Sequence, residues 1–465
     1  MYLPSTCLIV LAMATQSSAL APLAAALVQT PPSEPEITRV PVPPEATGRL
    51  LAQPEGEPLK TSRELLIMEA WPVEQSFRVT KDRLFVAPYN RWGLMHADAI
   101  LPTAVIGRGK GPVVPLLAGV AIDVDDVMFD DKDGRPMRVG DFFAATGLDG
   151  LLVLHKGKVV FERYENGMSR DQPHMMLGAS AAFPALVALT LIHEGRLNAQ
   201  VKLIDYLATL EYSAWRGTSL RALLDMTASV RFSNGAALPA PNQLAYEVAC
   251  GLVPPPKEYV GPLSLMEFVR SMKDMDAERP HGDAFRFIPT GIDVTAELVR
   301  GKERATLARV IEKRIWSKLG AEHDARVVVD AHGTDLAALG FIATVPDMAR
   351  FAQMLANRGQ WNGQEVVPGV IALDVLAGGN TAMLARSDVA KLLPGGSYNA
   401  GWWNTDKAMG AAFLWGAHGQ TVWINQRAEV VIVRVSSHSS SDSDFLRYNE
   451  IRAMDAIVKR VAGGT

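Results

Sequence analysis

Two strand-like runs, Leu151–Leu154 and Lys158–Tyr164, flank His155-Lys156-Gly157, a spacing that predicts a β-hairpin. Ala182 to His193 is apolar almost throughout and stops at Glu194-Gly195, where the glycine suits the position just past a helix end. Helical spacing recurs over Ser219–Met226, over Val294–Leu319 with an interruption near Gly301, and over Asp347–Asn357, halted by Gly359. Trp361-Asn362-Gly363-Gln364 then supplies an Asn-Gly turn. Gln420–Asn425 and Glu429–Val435 read as a second hairpin, followed by a last helix from about Asp444 to Val461. No internal repeat is evident. Strand pairs at both ends of a helix-rich stretch predict an α/β (α+β) architecture, one antiparallel sheet closed by distant segments with an inserted helical lobe.

The first part of the chain reads differently. Residues 1–38 hold no Lys or Arg, and Leu8 to Ala14 is a short apolar run followed by small residues. Residues 1–28 therefore resemble a secretory signal peptide with Cys7 as filler, although no positive region precedes the apolar run. The expectation is export to the periplasm, or a cytoplasmic protein if this segment is not a signal. Membrane association would come through this segment alone. Residues 29–58 are rich in Pro and Glu and predict an extended linker. Residues 59–145 read as an extension that packs on a main domain over 146–465, whose helical lobe spans about 198–335. The acidic stretch Asp123 to Asp133 looks at first like a calcium loop, but Phe129 stands where the first ligand belongs, so a solvated turn at Asp133-Gly134 is expected.

Composition narrows the function classes. Over 465 residues, 48% hydrophobic and 21% charged positions describe a globular chain. A net charge of -4 leaves no electrostatic footprint for nucleic acid. Two cysteines, Cys7 and Cys250, cannot build a disulfide framework or a cysteine-rich metal centre. His281-x-Asp283 and His193-Glu194 lack a third partner at ligand spacing, so neither metal nor cofactor is expected.

Several stretches in order carry a family resemblance. They include Asp149 to Val153 with the hairpin to Tyr164, His174, Glu194-Gly195-Arg196-Leu197, and Thr218 to Thr227. Trp316 to Gly320, Ala343 to Phe351, Gly359 to Gly363 and Gly419-Gln420 follow. Over about residues 85–460 the chain resembles the penicillin-recognising, β-lactamase-like serine hydrolases, nearest the 6-aminohexanoate-dimer hydrolases and class C β-lactamase-like esterases. That resemblance implies a five-stranded antiparallel sheet flanked by helices, an all-helical lobe and a cleft between them. It also implies a Ser-x-x-Lys motif at a helix start, in which the serine attacks an acyl carbon and the lysine takes its proton. A tyrosine from the lobe assists.

Those groups are missing in the register that the resemblance sets. Counting back from Gly195 places Gly178 at the serine position and Ala181 at the lysine position, with Phe183 and His174 supporting the frame. Phe285-Arg286-Phe287 puts Phe287 at the tyrosine position. The third motif persists in part as Gly416-Ala417-His418-Gly419-Gln420. The leading expectation is a non-catalytic member of the fold, its reactive site roomier and less polar. It would use the cleft, with Ala417, His418, Gly419 and Trp403 as lining, to bind a small amide- or ester-bearing ligand or a protein partner. The alternative is an active amidase or esterase that uses Ser180 as an off-motif nucleophile, or a water activated by His418. Ser180 lies roughly 200° around the helix from the vacated serine and is expected to face away in a structural role. His174 is read as a brace for the motif helix.

Overall fold

In a computed structural model of the protein, residues 56–463 are described, apart from 234–241, 277–278 and 442. The leader read over 1–28, and all but the last three residues of the linker read over 29–58, lie outside the described residues.

Seven antiparallel strands form the main sheet. Its order is Ser397–Asn399, Trp402–Asn404, Ala412–Gly416, Gln420–Asn425, Val430–Ser436, Leu148–His155 and Lys158–Tyr164. The last five are the sheet that the resemblance implied, closed as expected by segments far apart in sequence. Two short strands extend it at one edge, because Ala400 and Gly401, at φ 49° and 90°, make a two-residue turn that folds the chain back. The Val430–Ser436 strand is buried at every position, and its apolar run Val430 to Val433 fits a strand covered on both faces.

The covers follow from the two-residue period of a strand. Arg434 faces the rings of Phe142 and Phe143 and the carboxylate of Glu450, which stands on the long helix Asp444–Val461. Val435, one position along, pairs with Gly150, and a β-carbon at Gly150 would touch Val345 of the helix Val345–Ala356. One helix layer thus covers each face.

Both turn predictions hold. Lys156-Gly157 and Asn362-Gly363 adopt positive φ at both central positions, as tight hairpin turns require. One helix boundary moves. The helix Pro289–Glu303 runs straight through Gly301 and ends at Arg304, φ 53°. No neighbour approaches Gly301, so the glycine costs only its propensity, about 1 kcal/mol. The next helix, Leu307–Arg314, is started by Thr306 and by the Asp335 carboxylate, which accepts the Leu307 and Ala308 N–H groups.

A second, four-stranded antiparallel sheet has the order Thr103–Ile106, Ala325–Val328, Phe341–Ala343 and His174–Met175. Residues 325–328, expected in an all-helical lobe, are therefore a strand. Residues before 146 also reach the main sheet. Leu117, Gly119 and Ile122 exchange backbone hydrogen bonds with Val159 and Val160 on the outer strand Lys158–Tyr164, which covers an otherwise open edge. The Asp133-Gly134 segment is a turn in which Asp131 Oδ1 accepts the Asp133 and Arg135 N–H groups. Among the described residues no helix is long and apolar enough to cross a membrane.

Candidate active-site region

The helix Ala182–His193 is entered through a 3-10 turn, Leu177–Ala181, which packs against the end of the strand Ala412–Gly416. The approach is main chain to main chain. A β-carbon built on Gly178 would stand 2.6 Å from the carbonyl oxygen of Trp415, and one on Gly416 would stand 2.6 Å from the carbonyl oxygen of Met176. Real carbons do not approach so closely, so any residue other than glycine at 178 forces the strand or the turn to move.

Ala181 is closed in from another side. Gly401 comes so near that a β-carbon there would lie 2.9 Å from the Ala181 carbonyl carbon. Beside Ala181 a gap of only about 10 Å³ remains, bounded also by Tyr398 and Ile292, which is about the room one water needs. The expectation of a roomier site is therefore corrected. Removing side chains from the turn has let three backbone segments, 177–181, 400–401 and 415–416, close on one another.

Phe287 lies apart from this contact but is linked to it through aromatic rings. It is 38% exposed and stacks on Trp403 with centroids 6.4 Å apart, and Trp403 meets Trp415 edge-on at 5.6 Å. Trp403 is buried among Phe285, Tyr398 and Trp415. Phe285 and Phe287 line a surface pocket of about 460 Å³, with Arg231, Arg279 and Arg286 around them.

Ser180 is buried, and its Oγ accepts the backbone N–H of Phe341 at 3.0 Å. Its side chain thus ties the turn to the second sheet. His418 is buried in a left-handed backbone conformation, φ 60°. Its Nδ1 lies 2.8 Å from the His438 carbonyl oxygen, which requires the proton on Nδ1 and the ring as donor. Burial pushes its pKa down to about 4. Ala417 offers its carbonyl to the Gln420 amide, and Gly419, φ 94°, abuts Arg434 and Ser436. His174 is buried, with Nε2 3.2 Å from Asp149 Oδ2. The structure thus brings Gly178, Ala181 and the 415–416 strand end together, joins Phe287 to them through Trp403, and leaves Ser180 and His418 engaged elsewhere.

Two groups that shape this region gave no signal in the sequence. Glu450 accepts the indole N–H of Trp415 and an Arg434 N–H at 2.7 Å, and Arg447 donates to the Gly416 carbonyl at 3.2 Å with its guanidinium over the Trp415 ring. The last helix therefore clamps the strand end that meets Gly178. Arg91 donates to Asp149 Oδ1 and to the Gly147 carbonyl, both charges buried. Neither pairing is readable from spacing, because 35 and 58 residues separate the partners.

An antiparallel sheet with its motif helix against an inner strand and a helical lobe beside it defines the scaffold of the penicillin-recognising serine hydrolases. The chain belongs to the β-lactamase family, whose model matches residues 144–454. It is 29% identical over 367 residues to the 6-aminohexanoate-dimer hydrolase of Paenarthrobacter ureafaciens, covering 78% of this chain and 89% of that one. A Bacillus anthracis structure provisionally assigned as a 6-aminohexanoate-dimer hydrolase superposes with a TM-score of 0.73 at 26% identity, over 83% of this chain and 97% of its own. A penicillin-binding protein homologue from Caulobacter crescentus, 14% identical with a TM-score of 0.52 over 73% and 99% of the two chains, shares the fold.

Proposed function

We propose that this protein is a non-catalytic member of the β-lactamase family that engages a ligand or a protein partner and does not turn one over. The observation that carries the reading is the Trp415 carbonyl oxygen, 2.6 Å from where a β-carbon on Gly178 would be. A serine hydrolase needs a side-chain oxygen at that turn with space in front of it for an acyl group. Here glycine supplies no oxygen and the neighbouring strand fills the space. Ala181 supplies no base and Phe287 no hydroxyl.

The remaining candidates for acyl chemistry support the same reading. Ser180 Oγ is committed to the Phe341 N–H, and His418 holds its Nδ1 proton on a carbonyl. With the gap beside Ala181 down to about 10 Å³, the pocket of about 460 Å³ beside Phe287 is where a ligand or partner would be met. Export to the periplasm remains part of this proposal and rests on residues 1–28 alone.

Incubation of the full chain with a fluorophosphonate and, separately, with a reactive β-lactam tests the reading by intact mass. The expected result is no adduct on folded protein. A stoichiometric adduct on Ser180 would overturn it in favour of an off-motif amidase or esterase.

A further inference from the structure

A groove of about 910 Å³ opens at the other end of the main sheet, in the size range of small-molecule sites. It lies where the strand Gln420–Asn425 ends, roughly 20 Å along that strand from the Gly416–Gln420 turn. The Lys156-Gly157 turn, the ends of the helices Val345–Ala356 and Gly369–Ala377, and the loop after Asn404 form its walls.

Its charge is unbalanced. Lys156, Arg358, Lys407 and Arg427 line it against two carboxylates, Asp406 and Glu429, and among the described residues none of these four cations is ion-paired. Lys156, Arg358 and Glu429 sit at φ 52°, 57° and 53°, backbone positions that ordinarily favour glycine or asparagine. Three charged side chains are thus carried on turns at a conformational cost of about 1 kcal/mol each.

Two buried carboxamides face the opposite problem. Gln353 and Asn404 line the groove and are 7% and 4% exposed. Gln353 Nε2 donates to Asn357 Oδ1 at 2.9 Å, and Asn404 Nδ2 donates to the Val375 carbonyl at 3.1 Å. Their amide groups are therefore fixed, while Gln353 Oε1 and Asn404 Oδ1 have no hydrogen-bond partner. Unmet buried acceptors cost about 1–3 kcal/mol each and call for donors. Trp361 also lines the groove, with its indole N–H already given to the Leu319 carbonyl at 2.8 Å, so what it offers a ligand is its ring.

We propose that this groove binds a small polyhydroxylated anion, a sugar acid or a sugar phosphate. Hydroxyl groups supply the donors that Gln353 and Asn404 lack, the acid group meets the unpaired cations, and a sugar's C–H face packs on Trp361. A neutral sugar leaves the cations unmet, and inorganic phosphate offers nothing to the ring.

Calorimetric titration of the full chain at low salt would use galacturonic acid, glucose 6-phosphate, glucose and inorganic phosphate. At least one of the first two is expected to bind one-to-one, roughly tenfold or more tighter than glucose or inorganic phosphate. Galacturonic acid binding alone assigns a carboxylate ligand, and glucose 6-phosphate binding alone a phosphate. The paired substitution Arg358→Ala with Lys407→Ala should weaken that binding at least roughly tenfold. Gln353→Leu should weaken it too, with an unchanged urea midpoint showing that each variant folds. The proposal is overturned if neither acid binds at millimolar concentration, if glucose or inorganic phosphate binds equally well, or if the paired variant keeps the affinity.

Discussion

At Gly178 the requirement for glycine is one of contact, not of backbone conformation. Its φ lies outside the left-handed region, so the Trp415 carbonyl alone excludes a side chain. Gly178→Ala and Gly178→Ser are both expected to lose about 1–3 kcal/mol in urea unfolding, as over-packing does. Equal losses would assign the cost to the β-carbon; a stable serine variant would show that the strand yields. His418 makes a second prediction. The unfolded ring takes its proton near pH 6.5, whereas burial holds the folded ring neutral down to about 4. Between those values the unfolded state binds the extra proton. The contribution from His418 is therefore complete above pH 6.5 and is lost as the pH falls toward 4. Urea midpoints across that window should fall less in His418→Asn, which tolerates positive φ, and the ring should titrate near 4 by NMR.

The elements were legible where local chemistry decides them. Lys156-Gly157 and Asn362-Gly363 announce their turns, and the last helix, Asp444–Val461, has Ser443 as its cap, the Oγ accepting the Leu446 N–H. Gly301 misled because an exposed glycine is tolerated, while the real stop at Arg304 depends on Asp335, 31 residues away, starting the following helix. The two added edge strands were missed for a similar reason, since their turn uses Ala400 where glycine would have signalled it. Arg434 is the one charge in the Val430–Ser436 strand, and it is satisfied by Glu450 from another element. Glu450→Ala should cost roughly 3–5 kcal/mol by leaving that guanidinium buried and unpaired. Adding Arg434→Met should recover much of the loss, and urea unfolding of the single and double variants measures both.

Over the whole molecule, the fold could be read from the order of many weak matches, whereas the state of the site could not. Gly178, Ala181 and Phe287 were identifiable from register alone. That the space between them is shut depends on segments near 178, 401 and 415 meeting in three dimensions, and no spacing rule reports such a meeting. The residues before 144 are likewise bound in through a long-range pair. Arg91 serves Asp149, Gly147, Lys60 and Ser437, so it holds the start of the main sheet to both the preceding segment and residue 437. Arg91→Leu is expected to destabilise by about 3–5 kcal/mol, since it strands the Asp149 carboxylate in the interior. A loss below about 1 kcal/mol in urea unfolding would show that Asn166 and His174 suffice as partners for that carboxylate.

The meeting of Gly178 with the Trp415 carbonyl also bears on ancestry. On the reading proposed here, the chain descends from a hydrolase, and the way back is blocked for single substitutions. Restoring serine alone meets the strand before it meets any substrate, and restoring lysine at 181 or tyrosine at 287 adds nothing without that serine. The strand end would first have to retreat, against the hold of Arg447 and Glu450 on Trp415 and Gly416. Each step toward the old chemistry is thus unfavourable until several are complete, so drift would carry such a lineage further from catalysis and not back to it.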